Sequence, residues 1–170
     1  MIGDSPLVRN IKWKPIEGGK DMKKYFFLMV LAVMIALPSW AADEAGLVKV
    51  AKGTVTIERS GQKLPASAGM PVLAGDRVVT GEDGSVGITL RDNTLLSAGP
   101  KSLLVLNSFA FNEATHDGAL DASLKRGTLA VVSGKLAKNS PNSVQFHTPA
   151  AILGVRGTEF VIDAGSGKEE

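Results

Sequence analysis

The sequence predicts an all-β domain, a compact sandwich or a short irregular solenoid-like stack of many short strands, and three observations carry that prediction. From Gly46 onward apolar side chains recur at every second position, as in Val86, Ile88 and Leu90 against Gly87, Thr89 and Arg91, the spacing that gives a strand one core face and one solvent face. Turn signals return about every ten residues, a strand spacing typical of sandwiches and barrels: Ser60-Gly61, Ala74-Gly75-Asp76, Asp83-Gly84, Asp92-Asn93, Gly99-Pro100, Asp117-Gly118, Arg126-Gly127 and Ser133-Gly134. No helical pattern of the roughly 10 to 15 residues that an α/β fold needs between its strands is visible. A repeat of fixed period is also missing, which disfavours a regular solenoid of identical coils.

Taken in chain order, residues 1–21 carry no periodic apolar pattern and are read as an extension from an upstream start, outside the folded domain. Residues 22–41 read as a secretory signal peptide. Met22-Lys23-Lys24 is a positive n-region, Tyr25 to Leu37 an apolar h-region, and Ser39 and Ala41 put small residues where a signal peptidase needs them. Cleavage is expected after Ala41. The rival reading, a membrane anchor, needs about 20 apolar residues to cross a bilayer, and the run here is shorter.

The β domain is expected over residues 42–163. Val48 and Val50 share one parity and Val55 and Ile57 the other, so a bulge or bend is expected at Ala51 to Gly53. Alternation returns at Leu120 to Leu124, at Val144 and Phe146, and at Phe160 and Ile162, while Lys101 to Leu106 is apolar enough for a strand buried on both faces. Asn112 to Ala119 and Lys135 to Ser143 read as surface loops, and 164–170 as a disordered tail.

Composition narrows the function. A chain of 170 residues, 44% apolar and 21% charged with 19 glycines, describes one folded domain. With no cysteine, disulfide frameworks, thiolate zinc sites, cysteine nucleophiles and lipidated N-termini are excluded. The net charge of +2 comes from the leader: six of the 19 basic but only three of the 17 acidic residues precede Ala42. The body is near neutral, with signs that alternate along the chain, whereas phosphate recognition needs a clustered positive field. Nucleic acid is not an expected partner.

The search for chemistry returns negatives. His116 and His147 are the only histidines, at no metal-ligand spacing, and read as solvated or strand-surface residues. No nucleophile elbow is present. Gly165-Ser166-Gly167-Lys168 has the outline of a phosphate loop, but Ile162 stands where the full pattern wants glycine, Glu169 where it wants Ser or Thr, and no helix can follow. Asp76, Asp83, Asp92 and Asp117 each adjoin Gly, Asn or a turn, the setting in which Asp accepts a backbone N–H two residues on.

The stretch Val72 to Gly81 with Gly84 to Thr94 resembles the "L-x-x-G-D-x-I-x-T … S-x-x-x-L-x-D-G-S" core of the FecR-domain family. Leu124-Lys125-Arg126-Gly127 continues the likeness, and Thr148-Pro149-Ala150-Ala151-Ile152-Leu153-Gly154-Val155-Arg156-Gly157-Thr158-Glu159-Phe160 is similar to the closing "T-P-x-A-x-x-x-V-R-G-T-x-F". On this resemblance the motif residues are Gly75, Asp76, Asp92, Gly127, Thr148, Pro149, Gly154, Arg156, Gly157, Thr158 and Phe160. It implies a periplasmic all-β domain related to the outer part of regulators that couple siderophore uptake to sigma-factor control. Those regulators also carry a cytoplasmic helical module and a membrane helix; neither is read here, so what carries over is the extracytoplasmic β module of stand-alone secreted members.

The closing motif reads the same way on physical grounds. Thr148 before Pro149 is held extended, and Gly154 and Gly157 permit tight turns. Arg156 between glycines is either an exposed turn residue or a partly buried guanidinium gathering carbonyls, with Asp76 or Asp92 as its partner. Two functional classes stand: a non-catalytic extracytoplasmic module that binds a protein through a strand edge or loop, as part of envelope sensing or signalling, or an envelope glycan or peptidoglycan module with turn carboxylates for hydrolysis. Beyond Ala41 there is no Trp or Tyr to stack on sugar rings, which favours the first. No cofactor is implied, and membrane contact is expected only through an uncleaved signal.

Overall fold

The structure, a computed structural model, describes residues 44–155 and 159–165, all within a compact unit that spans Ala42–Glu170. The expected extension, signal peptide and Ala41 cleavage site lie outside the described residues, as do Arg156, Gly157, Thr158 and residues 166–170 of the tail.

The described residues form thirteen strands, one short α-helix and a single 3-10 turn at Pro141–Ser143: β1 (Glu44–Lys52), β2 (Val55–Arg59), β3 (Gln62–Pro65), β4 (Pro71–Leu73), β5 (Arg77–Thr80), β6 (Ser85–Leu90), β7 (Leu95–Ala98), β8 (Leu103–Phe111), β9 (Gly118–Arg126), β10 (Thr128–Val132), α1 (Lys135–Asn139), β11 (Val144–His147), β12 (Ile152–Gly154) and β13 (Glu159–Asp163). They make a sandwich. One sheet has six strands in the order β13-β10-β7-β6-β1-β4, the other seven in the order β12-β11-β9-β8-β5-β2-β3. Every pairing is antiparallel except β9 with β11; between those two the chain crosses to the opposite sheet as β10 and returns through α1, the kind of crossover a parallel pair requires.

Period-two alternation explains the core. Along β6 the burial alternates strictly, with Val86, Ile88 and Leu90 inside. Leu96, Leu129, Val131 and Ile162 complete that sheet's inner face; Ile57, Leu104, Leu120, Leu124 and Phe146 face them from the other. Each large side chain so buried contributes about 1.5–3 kcal/mol. Phe146 on β11 meets Phe160 on β13 edge to face, with ring centroids 5.6 Å apart, joining the two sheets at one side of the sandwich.

Three local expectations are refined or overturned. The bulge or bend expected at Ala51 to Gly53 is a bend at Gly53, φ 62°, where the chain leaves β1; β1 in addition has an unexpected bulge between Val48 and Val50. It turns Val50 outward, leaving it 48% exposed, so β1 and β2 need no shared parity; they belong to different sheets. Lys101 to Leu106 is not wholly strand: Lys101 sits in a turn at φ 54°, and β8 starts at Leu103. Lys135 to Ser143 is not a surface loop, because its first five residues form α1 and bury Leu136 and Ala137 in the core. The pairing also outlasts β13. Ala164 donates to the Gly127 carbonyl and Gly127 to the Gly165 carbonyl, which ties down the first two residues of the segment expected to be a free tail.

Candidate functional site

The described motif residues do not converge on one pocket; most of them frame separate turns. Asp76, 1% exposed, lies in the turn from β4 to β5. Its Oδ1 accepts from Arg59 Nε at 2.8 Å, and its Oδ2 from an Arg59 terminal amino group at 2.7 Å and from the Leu73 N–H at 2.8 Å. The same guanidinium donates to the Pro71 carbonyl at 2.8 Å, so it ties β2 of one sheet to β4 of the other. The hydrogen bonds that Arg59 donates to Asp76, opposed by burial and aided by the charge of Asp76, hold the guanidinium above its ordinary pKa. Among the described residues the arginine that pairs with Asp76 is Arg59; the expected pairing of Arg156 with Asp76 or Asp92 lies outside them.

Asp92, fully buried, organises the opposite turn. Oδ1 accepts from the Thr94 N–H at 3.0 Å, and Oδ2 from the Thr94 hydroxyl at 2.6 Å and the Leu136 N–H at 3.4 Å. Its carbonyl accepts from Lys135 and the Thr94 hydroxyl oxygen from Gly134. The start of α1 thus hangs on a loop more than 40 residues earlier in sequence. The expected bond to an N–H two residues on exists at Asp92. At Asp76 the bonded N–H lies three residues back; Asp83 instead accepts from Thr54 at 3.2 Å, and Asp117 from the Ser140 hydroxyl at 3.4 Å. Buried and surrounded by donors, Asp76 and Asp92 cannot meet a substrate.

The other described motif residues also sit in turns and strand ends. Gly75 stands at φ 89° and donates to the Leu106 carbonyl at 2.7 Å. Gly127 is at φ 81°, and a Cβ there would strike the backbone and hydroxyl of Ser102, so no other residue fits. The Thr148 hydroxyl accepts from the Ala150 and Ala151 N–H groups at 3.3 and 3.0 Å, closing the turn that exposes Pro149 between β11 and β12. Gly154 ends β12 in the open.

The two histidines have structural partners. His116, at φ 60°, stacks on Phe111 with ring planes 4° apart. His147 Nε2 lies 3.2 Å from Asp121 Oδ2, and the Asn107 amide donates both to Asp121 and to the Ser123 hydroxyl, the latter at 2.8 Å. Serine, histidine and aspartate are thus neighbours on β9 and β11, but Asn107 holds the hydroxyl, and no hydrogen bond joins Ser123 to His147. Among the described residues no three His, Cys, Asp or Glu side chains gather as metal ligands, and no helix is long and apolar enough to cross a membrane.

The two outer faces differ in chemistry. The seven-stranded sheet displays Lys63, Glu58 and Arg77 across β3, β2 and β5, with both ion pairs at 3.3 Å. The six-stranded sheet displays the uncharged row Val161–Ala130–Ser97–Gly87–Val50 across five strands; beside it run Val132, Leu95, Thr89 and Leu47. Val161 is 71% and Leu95 43% exposed.

The sheet edges differ too. At one side lie β3, with Lys63 and Pro65, and β4, which begins at Pro71; lysine and proline blunt strand addition. At the other side lie β12 and β13, where Ile152, Leu153 and Val161 are exposed. From the sequence, partner contact is expected at Lys135 to Ser143 or at a neighbouring edge strand that the sequence does not specify. Strand order names it, and no sequence signal could have.

A model of the FecR protein family matches residues 76–170, more than half of the chain. That match begins in the β4–β5 turn, although β1 to β4 are part of both sheets. No curated protein and no solved structure matches the chain. Matched along its length from the Asp76 turn through β13, in an all-β sandwich whose turns are built by the motif residues, this chain belongs to the FecR protein family.

Proposed function

We propose that this protein is a non-catalytic, extracytoplasmic protein-interaction module in envelope sensing or signalling. Family membership supports the sensing and signalling part of that reading. One observation carries the binding part: the side of the sandwich formed by β12 and β13 bears exposed apolar residues and no proline or lysine, whereas the opposite side bears both. Backbone groups at an unprotected edge are a ready template for an extended partner segment. The alternative, a glycan module hydrolysing through turn carboxylates, has less support, because Asp76 and Asp92 are buried and hydrogen-bonded and only Asp83 and Asp117 of the four turn acids are exposed.

Crosslinking and pull-down from the envelope fraction tests the reading, with products of adjacent genes as first candidates. A defined protein partner is expected; recovery of a polysaccharide with no protein overturns it. Location is tested separately. Intact mass of the exported protein is expected to correspond to a chain beginning at Ala42, and a species retaining the apolar stretch to Leu37 would mean an anchored protein.

A further inference from the structure

Of the four sheet edges, β13 is the one built to accept a strand. β12 has three residues and β4 three, the latter starting with Pro71; β3 carries Lys63 and Pro65. β13 has five residues, pairs along its whole length with β10, and among the described residues nothing pairs with its other side. Its alternation sends Phe160 and Ile162 inward and Glu159, Val161 and Asp163 outward. The outer face of this edge is therefore acid, apolar, acid, and Val161 is the exposed end of the uncharged row that crosses the sheet to Val50.

That pattern selects against a second copy of this chain. Antiparallel pairing of two β13 strands about Val161 would set Glu159 opposite Asp163 of the second copy, twice, and like charges directly opposite destabilise a strand pair. It selects for a strand of opposite pattern. We propose that β13 takes an extended segment of a partner protein as the seventh strand of this sheet, a segment with basic residues at two alternate positions and a branched apolar residue between them. The partner's apolar side chain packs on Val161 and lengthens the uncharged row; its basic side chains face Glu159 and Asp163. The Asp163 Oδ1 already accepts from the Gly165 N–H at 2.8 Å, which holds that carboxylate at the strand end.

This inference rests on the protein-interaction reading, and its test separates the two. Probes are a peptide with a Lys-Thr-Val-Thr-Lys core flanked by Gly-Ser pairs and its counterpart with Glu for Lys, titrated into the full chain with amide exchange read residue by residue. The lysine peptide is expected to slow exchange in β13, and to bind about tenfold tighter than the glutamate peptide at low salt, an advantage that shrinks as salt rises. In Glu159→Lys/Asp163→Lys the preference is expected to reverse; Glu159→Lys alone, which leaves the Gly165 bond intact, is expected to abolish it. Protection at another edge, or binding indifferent to charge, overturns the proposal.

A photocrosslinker placed in turn at Val161 and at Lys63, both exposed, then probes the envelope partner. Capture at Val161 together with the charge reversal supports strand addition at β13. Capture only at Lys63 overturns it and leaves the protein-interaction reading standing; capture at neither position, with no partner in the pull-down, overturns both.

Discussion

At the residue scale, the energetic weight of the family motif lies in two carboxylates whose partners come from distant parts of the chain. Arg59 and Asp76 share two hydrogen bonds, but Asp76 is buried and Arg59 is 26% exposed, so the two truncations are not equivalent. Arg59→Ala strands a buried carboxylate with Leu73 as its one remaining donor among the described residues, and is expected to cost about 3–5 kcal/mol. Asp76→Ala lets the guanidinium turn to water and should cost less, by urea unfolding at unchanged slope. Equal losses would show that Asp76 is not buried in solution. Asp92→Ala leaves the Thr94 N–H, the Thr94 hydroxyl and the Leu136 N–H without an acceptor; at about 1–3 kcal/mol for each stranded buried group, a loss of 3 kcal/mol or more is expected. Asp92 was legible as a turn former from Asn93 beside it, and Arg59 was not legible as its counterpart's partner, since 17 residues separate it from Asp76.

At the element scale, turns from different parts of the chain brace one another. The Asp83 carboxylate in the β5–β6 turn accepts from the Thr54 N–H in the β1–β2 turn, and this bond, the largest influence on it, holds its pKa below the ordinary carboxylate value. A carboxylate whose folded pKa is lowered stabilises the fold above its unfolded pKa of ~3.9 and loses that effect as pH falls through the folded value. Wild type should therefore exceed Asp83→Asn in stability by a constant margin above about pH 5, and the margin should shrink as the solution is acidified below ~pH 4, measured by thermal melts at stepped pH. A margin independent of pH would remove the carboxylate from the account. The helix α1 shows where element-level reading fails: Lys135 to Asn139 is too short for a periodic signal, and Leu136 is buried because Asp92 and Thr94 seize its first N–H groups.

For the whole molecule, the sandwich is expected to unfold as one cooperative unit with strand-dominated circular dichroism. The strongest test is a chain ending at Gly154. Without β13 the inner residues Leu129 and Val131 lose their neighbours Ile162 and Phe160, and Phe146 loses its ring partner. Loss of any cooperative transition is expected; a cooperative melt after truncation would make β13 peripheral. Glu159→Lys, on the outer face of the same strand, should leave the melt within about 0.5 kcal/mol of wild type, which separates the strand's structural inner face from its outer one.

The sequence by itself determined the all-β class, the inner face of most strands and nearly every turn, because alternation and turn chemistry are local and repeat with each strand. Val86, Ile88 and Leu90 could be placed inside from their spacing alone. Which strands are neighbours was decided only by the tertiary structure, since hydrogen-bonded ladders leave no mark of their partner in the residues that form them. That is why the Val48–Val50 bulge, the Arg59–Asp76 pair and the capture of α1 by Asp92 came from the fold. It is also why Glu159, Val161 and Asp163 became an acid, apolar, acid edge only once β13 proved to be the last strand of its sheet.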